Sequence, residues 1–233
     1  MLGVLKSNRI HVNYGIRRIR MAHSFEGIDS GMFADALDIL NYDGAMVGLQ
    51  PVSHGQRFHG RALTVRMLVG TPGTFAPEEI ALGKILEGAS KDDVIVIDVG
   101  GEHITVWGEL AAIAAQNIGV SGLIVDGAVR DADIMQELGF PVITRHICAT
   151  AGKTRLRLGS VNQEPVKVGG VSVNPGDFVF ADETGAVVVP KDMYDSTLEE
   201  LNKIKKKEDA FKEGLAKGLP YLEAAKGMGL VQI

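Results

Sequence analysis

The clearest pattern along the chain is an alternation of short, mostly apolar runs with amphipathic segments. The apolar runs are typical of strands buried on both faces, and the segments between them have helical spacing. The strand and helix patterns are, in chain order, residues 94–99 (VIVIDV), 109–117 (ELAAIAAQN), 122–126 (GLIVD), 131–138 and 141–144. This strand–helix–strand–helix–strand order predicts right-handed crossover units in a mostly parallel sheet.

Weaker patterns flank this centre on both sides. They predict a helix capped by Asp29 or Ser30 and running through Leu40, a strand over residues 61–69, a helix from Pro77 to Gly88, a hairpin over residues 165–173 that turns at Gly169 and Gly170, and strands over residues 178–181 and 186–189. The second half of the chain is therefore richer in strands than the centre. We expect this part to pack against the crossover units.

From Lys191 onward the chain becomes charged and helical, with one apolar stripe formed by Leu198, Leu201, Ile204 and Phe211. The sequence contains no fixed-period repeat and no linker rich in proline or serine. We therefore predict one α/β domain over residues 1–233, with a central mixed sheet and helical extensions at about residues 1–40 and 191–233.

Composition narrows the classes of partner. The formal net charge is −5, which gives no electrostatic case for nucleic acid, and no apolar run reaches the length of a membrane span. The N-terminus lacks the apolar core of a secretory signal, and the single cysteine, Cys148, cannot form an internal disulfide. We expect a cytoplasmic protein with neither a membrane nor a nucleic-acid partner.

The strongest candidate for chemistry is the run from Asp126 to Asp131 (DGAVRD), which follows a buried strand and opens a helix. Ligands of α/β proteins bind at the C-terminal ends of the strands. The run places Arg130 and Asp131 there. A purely structural interpretation is equally open, in which Asp131 caps the helix and Arg130 points into solvent.

A second candidate is the start of the alanine-rich helix at Gly108, Glu109, Leu110 and Ala111. Free backbone N–H groups at a helix start bind carboxylate or phosphate. The structural alternative for Glu109 is a favourable interaction with the helix dipole.

A third candidate is weaker. The apolar run that ends in Gly100 and Gly101 resembles the glycine loop of S-adenosylmethionine-dependent methyltransferases. Glu102 and His103 follow where further glycines are expected, so the chain cannot approach a nucleotide as closely. A methyltransferase is therefore a minor alternative.

Taken together, several motifs resemble the RraA-like family, which includes divalent-metal 4-hydroxy-4-methyl-2-oxoglutarate/4-carboxy-4-hydroxy-2-oxoadipate aldolases and regulators of ribonuclease E. The resemblance covers about two thirds of the chain and rests on residues 60–65, 107–110 (WGEL), 122–131 (GLIVDGAVRD), 138–142, 175–177 and 182–190. It implies a swivelling β/β/α domain assembled into homotrimers or homohexamers, with sites between subunits. The first 40 residues depart from the family pattern, which leaves substrate specificity open.

The resemblance also implies a role for each site residue. Asp131 would be the direct protein ligand to Mg²⁺ or Mn²⁺, and Arg130 would hold a small 2-oxo acid. The backbone from Gly108 to Ala111, including Leu110, would receive the substrate carboxylate. Glu109 would lie near the metal waters, and Glu208 is our candidate for a second carboxylate supplied by a neighbouring subunit.

The function expected from the resemblance is a metal-dependent carbon–carbon lyase. It would cleave a compound like 4-hydroxy-4-methyl-2-oxoglutarate to pyruvate and would also decarboxylate oxaloacetate, since both reactions pass through pyruvate enolate. A non-catalytic regulator of the ribonuclease E inhibitor type, and a lyase acting on another 2-oxo acid, remain as alternatives, because a fold does not fix a function.

Overall fold

A computed structural model describes residues 25–226, so residues 1–24 and 227–233, including most of the predicted N-terminal extension, lie outside the described part. The helices are α1 (Ser30–Ile39), α2 (Leu82–Gly88), α3 (Glu109–Ile118), α4 (Ala132–Leu138), α5 (Tyr194–Ala216) and α6 (Tyr221–Ala225), with a 3₁₀ turn at Pro77–Ile80. The strands are β1 (Ala45–Met46), β2 (Gln50–Pro51), β3 (Phe58–Val69), β4 (Asp93–Asp98), β5 (Thr105–Trp107), β6 (Gly122–Val129), β7 (Val142–Ile147), β8 (Leu156–Val161), β9 (Val166–Val168), β10 (Val171–Val173), β11 (Phe178–Ala181) and β12 (Ala186–Val189).

Four parallel strands form the centre of the main sheet, in the order β3, β4, β6 and β7. Antiparallel strands extend it at both edges, with β11, β12 and β1 beyond β3 and with β2 beyond β7. β8 pairs with the second half of β3, and the short β5 pairs with the end of β6. The sheet confirms the predicted α/β fold with a mixed sheet.

The central strands are buried on both faces because each face is covered by a different layer. Side chains of α2, α3 and α4, such as Ile85, Ala112 and Met135, pack on one face of the sheet. The hairpin of β9 and β10 packs its valines on the other face, against residues such as Val96 and Ile124. This double burial explains why the central strand segments are almost entirely apolar, with Asp126 in β6 as a buried exception.

A third apolar cluster joins α1 and α5 to β11 and β12. Phe33 of α1 stacks on Phe180 with ring centroids 4.7 Å apart, and Leu201 of α5 is buried in the same cluster. Asp29 caps α1 as predicted, by accepting the N–H of Met32 at 2.9 Å. Helices α1 and α5 are therefore part of the core.

The structure differs from the sequence prediction in three places. Pro77 begins a 3₁₀ turn, and α2 starts only at Leu82, after Ala81 adopts a left-handed φ of 47°. Strands β1, β2, β5 and β8 were not predicted, because the first three are only two or three residues long and β8 contains Gly159, a residue type that is depleted in strands. α5 begins at Tyr194 rather than at Lys191. Within residues 25–226 no helix combines the length and the apolar character needed to cross a membrane.

Candidate active site

Arg130 and Asp131 lie between the end of β6 and the start of α4. The backbone N–H of Arg130 donates to the carbonyl of Trp107 at 3.0 Å, which extends the pairing of β6 with β5. Asp131 then takes a left-handed conformation with φ 55° and ψ 41°. This conformation is uncommon for a residue other than glycine and turns the chain sharply into α4.

The Asp131 side chain caps a different helix from the one that it precedes. Its carboxylate makes no capping hydrogen bond to α4, and Oδ2 instead accepts the backbone N–H of Glu109 at 3.1 Å. The capping interpretation of Asp131 is therefore wrong for α4. The two candidate segments of the sequence, which are 22 residues apart along the chain, meet through this bond.

Gly108 allows this close approach. A Cβ atom at residue 108 would lie 2.6 Å from Asp131 Oδ2 and 3.2 Å from Arg130 Cγ. The backbone of Gly108 is extended, with φ −158°, so the requirement for glycine comes from the neighbouring side chains and not from the backbone. Glycine at residue 108 therefore keeps space for the Asp131 carboxylate.

The start of α3 retains unused donors beside this carboxylate. Within residues 25–226 the backbone N–H groups of Leu110 and Ala111 have no hydrogen-bond acceptor, whereas the N–H of Ala112 already donates to the carbonyl of Gly108. Two adjacent free amides at a helix N-terminus can receive the two oxygens of a carboxylate.

The charged side chains of the site are accessible. Arg130 Nε lies 3.5 Å from Asp131 Oδ2, and the Arg130 side chain is 54% exposed against 34% for Asp131. Leu110 is 81% exposed and lies directly at the start of α3. The arginine can therefore contact a ligand without first breaking a buried ion pair.

A metal at this position would have a sparse set of protein ligands. In the described part of the chain no three His, Cys, Asp or Glu side chains converge on one point. Asp131 Oδ1 has no hydrogen-bond partner among residues 25–226, so one carboxylate oxygen remains available. One carboxylate together with water and substrate oxygens is a common arrangement for Mg²⁺.

Glu208 is not brought to this site within one chain. It lies on α5, forms an ion pair of 2.8 Å with Lys212, and faces α1. Burial first, and then the charges of Asp38 and Glu208, raise the pKa of Asp35 on α1. The proposed role of Glu208 in the site of a neighbouring subunit stays a prediction.

Sequence reasoning missed a second charged group at the same end of the sheet. The Asp126 carboxylate is buried, forms an ion pair with Arg145 of β7 and accepts the N–H of Gly169 at 2.8 Å. The hydrogen bond with Asp126, together with the negative charge of that carboxylate, raises the pKa of Arg145. An open cavity of about 540 Å³ lies beside this pair and is lined by Asp98, Gly100, Gly101, Asp126, Arg145, Lys167 and Gly170.

Known proteins resemble this chain in sequence and in fold. Protein DlpA of Legionella pneumophila is 32% identical over 191 residues, which are 82% of this chain and 31% of DlpA, so the chain spans less than a third of that relative. A putative 4-hydroxy-4-methyl-2-oxoglutarate aldolase of Halalkalibacterium halodurans is 29% identical over 201 residues, 86% of this chain and 90% of the relative. The crystal structure of Streptomyces coelicolor RraAS2, an unusual member of the RNase ES inhibitor RraA protein family, matches with a TM-score of 0.72 and 26% identity over 79% of this chain and 92% of that one.

A family model gives the assignment directly. The RraA-like model, described as Aldolase/RraA, matches residues 33–188. The matched region contains the start of α3, the end of β6 and all the residues that meet at the candidate site. The chain therefore belongs to the RraA-like family.

Proposed function

We propose that the protein is a divalent-metal-dependent lyase that cleaves a 4-hydroxy-2-oxo acid to pyruvate, with a compound like 4-hydroxy-4-methyl-2-oxoglutarate as substrate. The main support for the proposal is the bond from the Glu109 N–H to Asp131, because it brings Arg130 and Asp131 to the start of α3, where the N–H groups of Leu110 and Ala111 have no acceptor among residues 25–226. A cation, a carboxylate and two amide donors within one accessible site suit a small 2-oxo acid. The putative aldolase of Halalkalibacterium halodurans supports this reaction class.

The residues of the site fit a divalent ion. Asp131 would hold Mg²⁺ or Mn²⁺ through Oδ1, because Oδ2 already accepts the backbone N–H of Glu109. Glycine at residue 108 avoids a clash with this carboxylate. When bound, such an ion supplies Lewis-acid stabilisation of charge on the 2-oxo group. Both ions prefer oxygen ligands, so the donor set alone does not choose between them.

The chain's own residues would bind and orient the substrate. The amides of Leu110 and Ala111 receive the C1 carboxylate, and the Arg130 guanidinium faces the C2 oxygen. In the retro-aldol step the C4 hydroxyl loses its proton and becomes the carbonyl of one product as the C3–C4 bond breaks. The electron pair of that bond moves toward the C2 oxygen to give pyruvate enolate, which takes up a proton at C3 from water to give pyruvate. Glu109 would orient a water molecule that accepts the C4 hydroxyl proton. Arg130 then stabilises the negative charge that develops on the C2 oxygen.

Oxaloacetate decarboxylation would follow from the same site. Loss of carbon dioxide from C3 leaves the same enolate and requires no base at C4. We therefore expect oxaloacetate to be a second substrate, with less dependence on Glu109 than the retro-aldol reaction.

The decisive experiment is pyruvate release, coupled to lactate dehydrogenase, from both substrates with Mg²⁺, Mn²⁺ or EDTA. We expect Arg130→Ala and Asp131→Ala to lower kcat/KM by about 10²–10³-fold. Arg157→Ala and Glu79→Ala are matched controls, because this exposed pair lies 3.7 Å apart with similar exposure. Activity that survives Asp131→Ala or EDTA would rule the proposal out.

We also propose that the site is completed by a neighbouring subunit in a homotrimer or homohexamer, with Glu208 as the second carboxylate. Chains carrying Asp131→Ala and chains carrying Glu208→Ala, each of which we expect to have strongly reduced activity alone, can be co-expressed with different tags and purified as mixed oligomers. Activity above the sum of the separate variants is expected, because some sites would combine an intact Asp131 with an intact Glu208. Mixed oligomers without recovered activity would exclude Glu208 from this role.

A regulator of ribonuclease is the second candidate. It is favoured by the likeness to RraAS2 of Streptomyces coelicolor, which is described as an unusual member of the RNase ES inhibitor RraA protein family. Under this alternative, neither substrate would release pyruvate with either metal. Purified ribonuclease E would then lose activity when the protein is added.

A further inference from the structure

β6 contains a bulge four residues before the candidate metal ligand. Val125 pairs with Thr144 of β7, but the next pair joins Ala128 to His146, so β6 takes three steps where β7 takes two. The neighbouring pairing with β5 also shifts at this level, since Thr105 pairs with Ala128 and Trp107 with Val129. Asp126 and Gly127 therefore lie together opposite a single residue, Arg145.

The residue opposite the bulge binds it through its side chain. Arg145 forms an ion pair with Asp126, in which Nη2 donates to Oδ2 at 3.2 Å and Nε donates to Oδ1. Arg145 Nη2 also lies 3.5 Å from the carbonyl oxygen of Val47. The Asp126 carboxylate is only 8% exposed, so this charge depends on its bonded partners.

A second side chain of β7 holds the other residue of the bulge. The Thr144 hydroxyl lies 3.2 Å from the carbonyl oxygen of Gly127 and 3.1 Å from that of His146. Gly127 itself has no room for a side chain, since a Cβ atom there would lie 2.6 Å from Cβ of Val99. Both residues of the bulge are thus held by side chains of β7, Asp126 by Arg145 and Gly127 by Thr144.

The bulge also fixes the loop that leads to α3. The carbonyl of Asp126 accepts the N–H groups of Val99 and Gly101, each at 3.0 Å. This loop continues into β5, which ends at Trp107 directly before Gly108. The bulge is therefore connected to both segments of the site, forward along β6 to Arg130 and through the loop to Gly108.

Bulges next to functional sites commonly change the direction of the side chains that follow them. We propose that Arg145 and Thr144 are positioning residues, which hold the β6 bulge so that Asp131 meets the N-terminus of α3. This inference rests on the proposed function for its effect on catalysis. The geometry that it predicts, the bond from the Glu109 N–H to Asp131, can be measured without any activity.

The test compares these residues with matched positions in the same sheet. Arg145→Lys keeps the charge but loses the two-pronged bond, and its control is Arg61→Lys, because Arg61 pairs with an equally buried carboxylate, Asp93. Thr144→Val removes a buried hydroxyl bond, and its control is Thr64→Val, because Thr64 is as buried as Thr144 and its hydroxyl donates to the carbonyl of Glu164 at 3.0 Å.

Three properties are measured for each variant: hydrogen exchange of the Glu109 amide, Mn²⁺ affinity from the EPR signal of free Mn²⁺, and kcat and KM for pyruvate release. In Arg145→Lys we expect faster exchange at Glu109, weaker Mn²⁺ binding and a fall in kcat of up to about 10²-fold. Thr144→Val should show the same changes to a smaller degree. The two controls should alter thermal stability to a similar extent without changing these three properties.

The outcomes separate the two proposals. If Arg145→Lys and Thr144→Val match their controls in exchange at Glu109, the positioning role is wrong, whatever the activity. If the wild-type protein releases no pyruvate but exchange at Glu109 responds to Arg145→Lys, the positioning role stands and the proposed reaction fails.

Discussion

The two ends of the parallel strands contain the same kind of buried ion pair in different surroundings. At the N-terminal end Asp93 of β4 pairs with Arg61 of β3 at 3.0 Å, and at the C-terminal end Asp126 of β6 pairs with Arg145 of β7. Both carboxylates are 8% exposed. Burial and charge are therefore matched, and any difference in the roles of the two pairs must come from what each pair holds.

The surroundings of the two pairs differ in regularity. Arg61 and Asp93 are direct partners in the regular pairing of β3 with β4, and the remaining bond to Asp93 comes from the nearby N–H of Ser90. Asp126 and Arg145 lie across a bulge, and Asp126 also binds Gly169 of a distant hairpin. The pair at the N-terminal, regular end of the sheet stabilises the pairing of β3 with β4. The pair at the C-terminal, irregular end holds several loops in the one arrangement that brings Asp131 to α3.

The prediction with the largest expected effect tests whether the two ion pairs contribute equally to the stability of the protein. Arg61→Met and Arg145→Met each leave a buried carboxylate without its partner, and we expect each to lower the free energy of unfolding by about 3–5 kcal/mol. Urea unfolding measures both. A much smaller loss for Arg145→Met would show that the cavity beside Asp126 lets water replace the guanidinium, and the comparison would then fail.

The second prediction concerns the C-terminal end of the sheet and expects a loss of activity rather than a loss of stability. Gly108→Ala places a methyl group against Asp131 Oδ2, so we expect kcat/KM to fall by about 10²-fold while the protein stays folded. Coupled pyruvate release and thermal unfolding measure the two properties.

The matched control is Gly83→Ala in α2, where a Cβ atom would meet nothing within 4 Å. This change should stabilise the protein by about 0.5–1 kcal/mol, because alanine favours a helix, and should leave activity unchanged. Equal activity losses in both variants would remove the special role of Gly108.

The contrast between the ends also explains what the sequence could predict. The apolar runs of β4 and β6, the alanine-rich α3 and the pair Arg130–Asp131 are local signals, because each depends on neighbours within a few residues. They predicted the parallel sheet and the two segments of the site. The family resemblance added that the two segments act together.

The rest depends on contacts between distant residues. β5 is too short to leave a pattern, and nothing around Arg145 indicates that it binds a carboxylate 19 residues earlier across a bulge. The capping of α3 by Asp131 was likewise hidden, since the pattern predicts a cap for the helix that follows Asp131. Glu208 can be judged only when the neighbouring subunits are placed.

The prediction with the smallest expected effect concerns how the stability contributed by the N-terminal pair, Arg61 and Asp93, depends on pH. Burial raises the pKa of Asp93 above its ordinary value of 3.8, and the bonds from Ser90 and Arg61 offset this only in part. The folded protein therefore holds the Asp93 proton more tightly than the unfolded chain does. As the pH rises from 3.8 through the raised folded value, this group should make the protein less stable.

Asp93→Asn should remove that decline, so the difference in unfolding free energy between wild type and variant should change across this window and stay constant above it. Urea unfolding of both proteins between pH 4 and pH 7 measures the difference. A constant difference throughout would mean that Arg61 and Ser90 compensate fully for the burial of Asp93, and the N-terminal pair would then contribute to stability at acid and neutral pH alike.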